Sequence, residues 1–407
     1  MPIEFIVAFV VLLLVLALAT QPLAARLGMP HTSVLVISGA GVAYFMTLGL
    51  GIDTGLRAAN FHDLIFYVFL PVLIFDAAFK IPLGELSRNL TPVLFLAIIG
   101  MLLTTSFSAG LLYYGIGHDT GFPWLAALMA GALLAATDPV AVVAQLKTLG
   151  APERLGVLLE GESLFNDATA IVLFTILLTL ATMPEADVTI AVGVFKFFQV
   201  FLGGGLIGAA FGLAGRALLK LSTEGTYRVA VTLAAAYGSF LIAEAVLHVS
   251  GVMGSLVAGL VIAGAMDRNE GAGSQVDFFW SALAYIANGS VFLLMGFTIT
   301  VAMFTERWLA MLIAIAAVLA ARAATTFGGL GALNLIMKQP VPLPYQSVMV
   351  WGGLRGAVTL GLALSIPIEL DYWFTIQSMA FGLVLFTLLV QAPSMPWLIR
   401  RVGVIVR

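Results

Sequence analysis

The sequence predicts an all-α membrane protein with 13 transmembrane helices, arranged as two inverted six-helix repeats with crossing broken helices. The first observation behind this prediction is composition, since 61% of the 407 residues are hydrophobic and only 10% are charged. Soluble domains carry about 25% charged residues, so this composition excludes a soluble domain. The other two observations are long apolar runs and a one-sided distribution of basic residues. The formal net charge of −3 excludes a basic nucleic-acid-binding surface.

Long apolar runs define the predicted spans, because about 20 apolar residues cross a bilayer. The runs are 3–25, 32–51, 61–79, 91–115, 122–146, 153–182, 188–215, 227–247, 250–266, 276–302, 308–336, 345–366 and 373–399. The eighth and ninth adjoin at His248-Val249-Ser250-Gly251, and fusing them would leave twelve spans. No basic region precedes the first run, so we expect a retained span rather than a signal peptide.

Basic residues predict the orientation of the chain, because Lys and Arg accumulate on the cytoplasmic side of a membrane. The side reached after the first span holds 13 of them: Arg26, Lys80, Arg88, Lys147, Arg154, Arg216, Lys220, Arg228, Arg268, Lys338, Arg400, Arg401 and Arg407. The opposite side holds only Arg57 and Arg307. We therefore expect a multi-pass protein of the cell (inner or plasma) membrane, with its N-terminus outside and its C-terminus in the cytoplasm.

The predicted topology contains a symmetry. Spans one to six and eight to thirteen form two halves of opposite orientation, separated by the seventh span. Inverted repeats of this kind are typical of secondary transporters, whose binding sites lie between broken helices at the membrane midplane.

Each half has an interruption in its fifth span. In the first half Pro139 removes an N–H donor and leaves the carbonyl of Ala135 without its helical partner. In the second half Gly352, Gly353 and Gly356 weaken the helix. A single proline is often only a kink, and a single glycine cluster often only allows close packing. Because the two interruptions occupy matching spans of the two halves, we favour a binding site at these positions.

The sixth span is unusually polar for a membrane helix, and intramembrane polar residues are costly and commonly functional. Glu160, Ser163 and Asp167 share one face, while Glu162 and Asn166 form a neighbouring stripe. Their oxygens are hard ligands that suit alkali cations. Asp167 lies deep in its helix, where a carboxylate binds either a proton or a cation but not both well. The alternative is a static polar network of Asp167 with Ser163 and Thr137.

Two arginines lie within predicted spans and require partners. Arg322 needs an acidic one, for which Glu162 and Asp138 are the candidates. Arg355 lies among the glycines of the twelfth span, where its guanidinium can bond the carbonyls that the interruption exposes. We expect structural roles for both, because a cation site repels a fixed positive charge.

These motifs resemble those of the NhaP-type and eukaryotic plasma-membrane sodium/proton exchangers, in order and over nearly the whole chain. They are Thr137-Asp138-Pro139, Glu162-Ser163, Asn166-Asp167, Arg322 and Gly352-Gly353-Leu354-Arg355-Gly356-Ala357. The resemblance implies a homodimer whose single transmembrane domain, 1–407, has a mobile core (about 91–182 and 308–402) and a dimerisation scaffold (about 1–79 and 188–302).

The resemblance also implies the site residues. A cation- and proton-binding site would comprise Asp167, Asp138, Thr137, Ser163, Glu162 and Asn166, with Asp167, Thr137, Ser163 and Asp138 as the Na⁺ ligands. Arg322 would pair with Glu162, and Arg355 would support the interruption in the twelfth span.

The leading functional prediction is therefore a secondary antiporter that exchanges Na⁺ or Li⁺ for H⁺ by alternating access, electroneutrally and one for one. The alternatives are a K⁺/H⁺ antiporter of the same fold, an intramembrane aspartyl protease using Asp138 and Asp167, and a cation channel. A protease has no use for the inverted repeat, and a channel needs a continuous polar pore rather than a compact set. We expect no enzymatic activity, no cofactor beyond the transported ions and no nucleic-acid partner, with membrane lipid around the protein.

Overall fold

The computed structural model describes residues 3–27, 30–45, 63–117, 121–183, 190–266 and 271–405, and all regular secondary structure in these ranges is helical. The helices, numbered in chain order, are α1 (Ile3–Leu27), α2 (His31–Tyr44), α3 (64–80), α4 (Leu83–Arg88), α5 (Leu90–Gly115), α6 (Trp124–Ala135), α7 (Val140–Thr148), α8 (Glu153–Thr182), α9 (Ile190–Leu218), α10 (Gly225–Val246), α11 (Gly251–Ala263), α12 (Gly271–Thr298), α13 (Val301–Asn334), α14 (Leu343–Trp351), α15 (Ala357–Leu364) and α16 (Trp373–Arg401).

Long apolar helices make this a multi-pass membrane protein. Within the described residues, eight helical segments are long and apolar enough to cross a bilayer. One of them, Trp124–Thr148, comprises α6 and α7 together. Shorter apolar helices cover Leu13–Ala24, His31–Tyr44 and Gly251–Ala263. The predicted all-α membrane fold is confirmed, whereas the count of thirteen spans and the inverted repeat stay predictions.

The eighth and ninth predicted spans form separate helices. α10 ends at Val246 and α11 begins at Gly251. Between them, His248 adopts a φ of 52°, and the Ser250 hydroxyl accepts a hydrogen bond from the backbone N–H of Met253 at 3.2 Å. This cap starts a new helix instead of continuing the old one.

Two local features differ from the sequence prediction. α13 begins at Val301 rather than 308, and Arg307, predicted to lie in an outer loop, lies at a kink inside this helix with φ −123° and ψ 16°. The short helix α4 was not predicted, because its charged residues end the apolar run without preventing a helix. Some predicted features lie outside the described residues, namely positions 46–51 of the second span, 61–62 of the third span and 188–189 of the seventh span, together with Arg57, Arg268 and Arg407.

Two hydrophobic clusters organise the packing. The larger takes most of its members from α5–α8 and α13–α16, and the other from α1–α3 and α10–α12. A cavity of about 1240 Å³ is lined from both groups of helices, by Leu35, Lys80 and Tyr285 on one wall and by Asp138 and Glu160 on the other.

Candidate cation-binding site

Both predicted helix interruptions are present, and they contact each other. α6 ends at Ala135 and α7 begins at Val140, while α14 ends at Trp351 and α15 begins at Ala357. The backbone N–H of Asp138 donates to the carbonyl of Leu354 at 2.8 Å, which joins the two non-helical segments directly. The two interruptions therefore meet each other in the protein interior.

Polar side chains satisfy the carbonyls that the interruptions expose, as buried backbone at membrane depth requires. From α8, the Asn166 amide donates to the Ala135 carbonyl at 3.3 Å and the Ser163 hydroxyl to the Thr137 carbonyl at 2.5 Å. From the other interruption, Arg355 donates through Nε to the Leu134 carbonyl at 2.6 Å and through Nη1 to the Gly353 carbonyl. Arg355 thus hydrogen-bonds to carbonyls at both interruptions. The sequence predicted such bonds only at the interruption that contains Arg355.

Asp138 lies where two half-helices begin. Its Oδ1 accepts a hydrogen bond from the backbone N–H of Val140, the first residue of α7, at 3.1 Å. Its carboxylate also packs against Gly356, immediately before α15. The partial positive charge of a helix N-terminus stabilises a carboxylate in such a position.

Asp167 lies in the middle of α8 and reaches the cavity. Its side chain is only partly buried, and no other described residue hydrogen-bonds or pairs with its carboxylate. Asp138 is close enough to repel it electrostatically. A carboxylate that faces a second one without a fixed partner is a place where a cation or a proton binds favourably.

The structure brings four of the six predicted binding residues together on the cavity wall: Thr137, Asp138, Ser163 and Asp167. The other two, Glu162 and Asn166, lie behind this wall, each about 1% exposed. The static network considered from the sequence forms only in part, because Ser163 bonds the backbone of Thr137 rather than Asp167.

Glu162 is the partner of Arg322, and Asp138 is not. Two hydrogen bonds join them, from Nη1 to Oε1 at 2.5 Å and from Nη2 to Oε2 at 3.1 Å. Nη2 also donates to the Met349 carbonyl, in α14, at 3.0 Å. The pair therefore ties α8 and α13 to the half-helix that precedes the second interruption.

Charged pairs flank the cavity farther from Asp167. On one wall, Lys80 contacts Asp76 at 2.6 Å, as its spacing of four residues predicts, and donates to Ser281 at 2.8 Å. On the other wall, Lys147 approaches Glu160 at 3.7 Å. The first pair is visible in the sequence, whereas the second joins two helices and carries no local sequence signal.

An all-helical membrane protein in which two broken helices meet, with one carboxylate at an interruption and a second on a neighbouring helix, has features typical of ion-coupled secondary transporters. The chain belongs to the transmembrane sodium/hydrogen exchanger family, whose family model matches residues 10–401. This is a family of transporters and not a class of catalytic enzymes.

Relatives and a solved structure agree with this assignment. The chain is 39% identical to the Na⁺/H⁺ antiporter ApNhaP of Aphanothece halophytica, over 92% of this chain and 70% of that protein. It is 33% identical to the Na⁺/H⁺ antiporter NhaP of Pseudomonas aeruginosa, over 90% of this chain and 88% of that protein. Its fold matches the sodium proton antiporter MjNhaP1 of Methanocaldococcus jannaschii with a TM-score of 0.83 and 20% identity, covering 99% and 100% of the two chains.

Proposed function

We propose that this protein exchanges Na⁺ or Li⁺ for H⁺ across the membrane, with Asp167 binding the two ions alternately. The observation that carries this proposal is the Asp167 carboxylate, which faces the cavity and Asp138 without a fixed protein partner. Thr137, Ser163 and Asp138 supply further oxygens on the same wall. Family membership and the Na⁺/H⁺ antiporters among the relatives support sodium as the cation.

The charges around the site favour one ion at a time. The charged side chains in and behind the cavity wall at this point comprise three carboxylates, of Asp138, Glu162 and Asp167, and two guanidinium groups, of Arg322 and Arg355. With all five ionised, the group carries one excess negative charge in a medium that disfavours net charge. One monovalent cation or one proton neutralises it, which supports electroneutral exchange of one for one.

The position of the cavity supports alternating access. It extends to Asp167 from the C-terminal end of α7, where Lys147 lines it, and from the N-terminal end of α8, where Glu153 lines it. By contrast, Ile65, Phe66, Ile171 and Val358 line a gap that is too narrow to admit a water molecule. We propose that the core (about 91–182 and 308–402) moves against the scaffold (about 1–79 and 188–302) and opens the site on the other side.

Orientation and assembly belong to the same proposal. The basic residues favour a cytoplasmic C-terminus and an outer N-terminus, so the cavity at Lys147 faces the cytoplasm. We further propose a homodimer through the scaffold, surrounded by lipid. Cross-linking in native membranes tests the dimer, and labelling of single cysteines placed in the cysteine-free chain tests the orientation.

The experiment that tests the function is proton flux in proteoliposomes with a pH gradient, with Na⁺, Li⁺ and K⁺ added in turn. We expect saturable proton movement driven by Na⁺ and Li⁺. Movement driven by K⁺ alone would replace the assignment with K⁺/H⁺ exchange, and passive conductance without coupling would contradict antiport.

A further inference from the structure

We propose that Gly356 is a positioning residue of the cation site: its missing side chain leaves the space that the Asp138 carboxylate occupies, and so fixes where that carboxylate stands relative to Asp167. This inference deepens the proposed function and rests on it. Gly356 does not itself contact the transported ion in this proposal, but acts through Asp138.

Gly356 and the Asp138 side chain pack so closely that no room is left for a side chain at position 356. A Cβ at Gly356 would overlap the Asp138 side chain, coming 2.7 Å from its Cγ, closer than real Cβ contacts come. All three of the nearest atoms belong to that one side chain, namely Oδ2, Cβ and Cγ of Asp138. The φ of Gly356 is −141°, so the residue does not occupy the left-handed region that favours glycine. The close approach of Asp138 therefore indicates that the glycine provides space for that side chain.

Asp138 cannot retreat from an added methyl group without losing contacts. Its backbone N–H is held by the Leu354 carbonyl at 2.8 Å, and Pro139 restricts the chain directly after it. Rotation of the carboxylate would break the 3.1 Å bond from Val140 N–H to Oδ1 and would still leave the overlap with Asp138 Cβ, so residue 138 itself must shift. A methyl group at position 356 thus moves the carboxylate from its place at the start of α7.

A displaced oxygen ligand changes ion binding more than it changes the rate of domain movement. Ligand misplacement by about 1 Å has large effects on a preorganised site. Gly356→Ala is therefore expected to raise the Michaelis constant for Na⁺ by about tenfold, with a smaller change in maximal rate. Because alkali cations differ in radius, the ratio of the constants for Na⁺, Li⁺ and K⁺ is expected to change as well. A loss of folded protein would lower the rate with all three ions equally.

Gly361→Ala is the matched control. Gly361 lies in α15, the half-helix that Gly356 immediately precedes, and a Cβ there would meet only Ile65 Cγ2, at 3.2 Å. We expect its Michaelis constants and ion ratios to stay at those of the unmodified protein, because the Ile65 side chain can shift slightly.

The closing experiment is a double-mutant cycle on the purified full chain, comparing Gly356→Ala with and without Asp138→Gly. Asp138→Gly removes the whole side chain, including the Cβ that an added methyl group would overlap. Gly356→Ala is therefore expected to leave the melting temperature of the Asp138→Gly protein unchanged. Equal losses in melting temperature in both backgrounds, or Gly356→Ala kinetics equal to those of Gly361→Ala, would overturn the proposal.

Two further outcomes are decisive. If Gly356→Ala alone does not fold, the double variant is expected to be recovered as well as Asp138→Gly, and its failure would contradict the proposal. If the unmodified protein moves no protons in response to cations, the proposed function fails. The melting cycle then still reports whether Gly356 determines the position of Asp138.

Discussion

At the scale of single residues, Glu162 and Arg322 form a buried ion pair in which each charge is neutralised by the other. Their side chains are only 2% and 6% exposed. Removal of one partner would leave an uncompensated buried charge. The pair therefore acts as a unit whose members are not independently replaceable.

Mutation of this pair is expected to show strong coupling. Glu162→Ala or Arg322→Ala alone should lower stability by about 3–5 kcal/mol, because the remaining charge is left unpaired. The double variant should lose clearly less than the sum of the two. Thermal melting in detergent measures this, and additive losses would show that the pair does not act as a unit.

Asp167 gives a prediction for pH dependence at the same scale. If protons and cations compete for this carboxylate, lowering the pH increases its proton occupancy and raises the apparent Michaelis constant for Na⁺. Initial rates of exchange at a series of pH values and Na⁺ concentrations measure this constant. A constant that does not change over the active pH range would indicate separate sites for the two ions.

At the scale of elements, the crossing of the two broken helices depends on a few long side chains. Arg355 donates to Leu134, at the end of α6, and to Gly353, within the second interruption. Asn166 donates to Ala135 from α8. These bonds make three chain segments, distant in sequence, into one unit around the site.

Arg355→Met is expected to destabilise this unit. The substitution keeps a long side chain but leaves two buried carbonyls without their donor, at a cost of about 1–3 kcal/mol for each. Melting temperature and transport rate should both fall. Arg216→Met is the control, because Arg216 is exposed at the end of α9 and should change neither. Equal behaviour of the two variants would mean that Arg355 does not support the interruptions.

The sequence indicates where these elements break, but not how they cross. Proline and glycine act locally, so Pro139 and the cluster from Gly352 to Gly356 predict their interruptions correctly. The contacts of Arg355 with Leu134, of Asp138 with Leu354 and of Asp138 with Gly356 arise only when distant segments meet. Similarly, the residues alone left Glu162 and Asp138 as candidates for Arg322, and only the resemblance favoured Glu162. The folded structure pairs Arg322 with Glu162.

At the scale of the whole molecule, the proposed exchange is electroneutral. Asn166, next to Asp167, is an amide and carries no second proton. In the proposed cycle Asp138 stays ionised in both loaded states, with the backbone N–H of Val140 donating to its carboxylate. The loaded site then carries the same charge with a cation as with a proton.

Membrane potential is consequently expected to have little effect on the rate. A net transported charge would contribute about 2.3 kcal/mol per 100 mV. Cation-driven proton flux in proteoliposomes, with the potential clamped at several values, measures this. A rate that climbs steadily with voltage would mean that a second charge moves and that Asp138 takes part in the cycle.

The central claim is that Asp167 binds the cation and the proton alternately. Its most direct test is to measure cation–proton exchange by the Asp167→Asn variant. The amide keeps the shape of the side chain and removes the titrating group. Glu160→Gln, on the same helix and cavity but farther from Asp138, is the matched control. We predict that purified Asp167→Asn is folded, shows no Na⁺-driven proton flux and is no longer stabilised against melting by Na⁺, while Glu160→Gln retains both properties. Proton flux in Asp167→Asn near that of the unmodified protein would contradict the account.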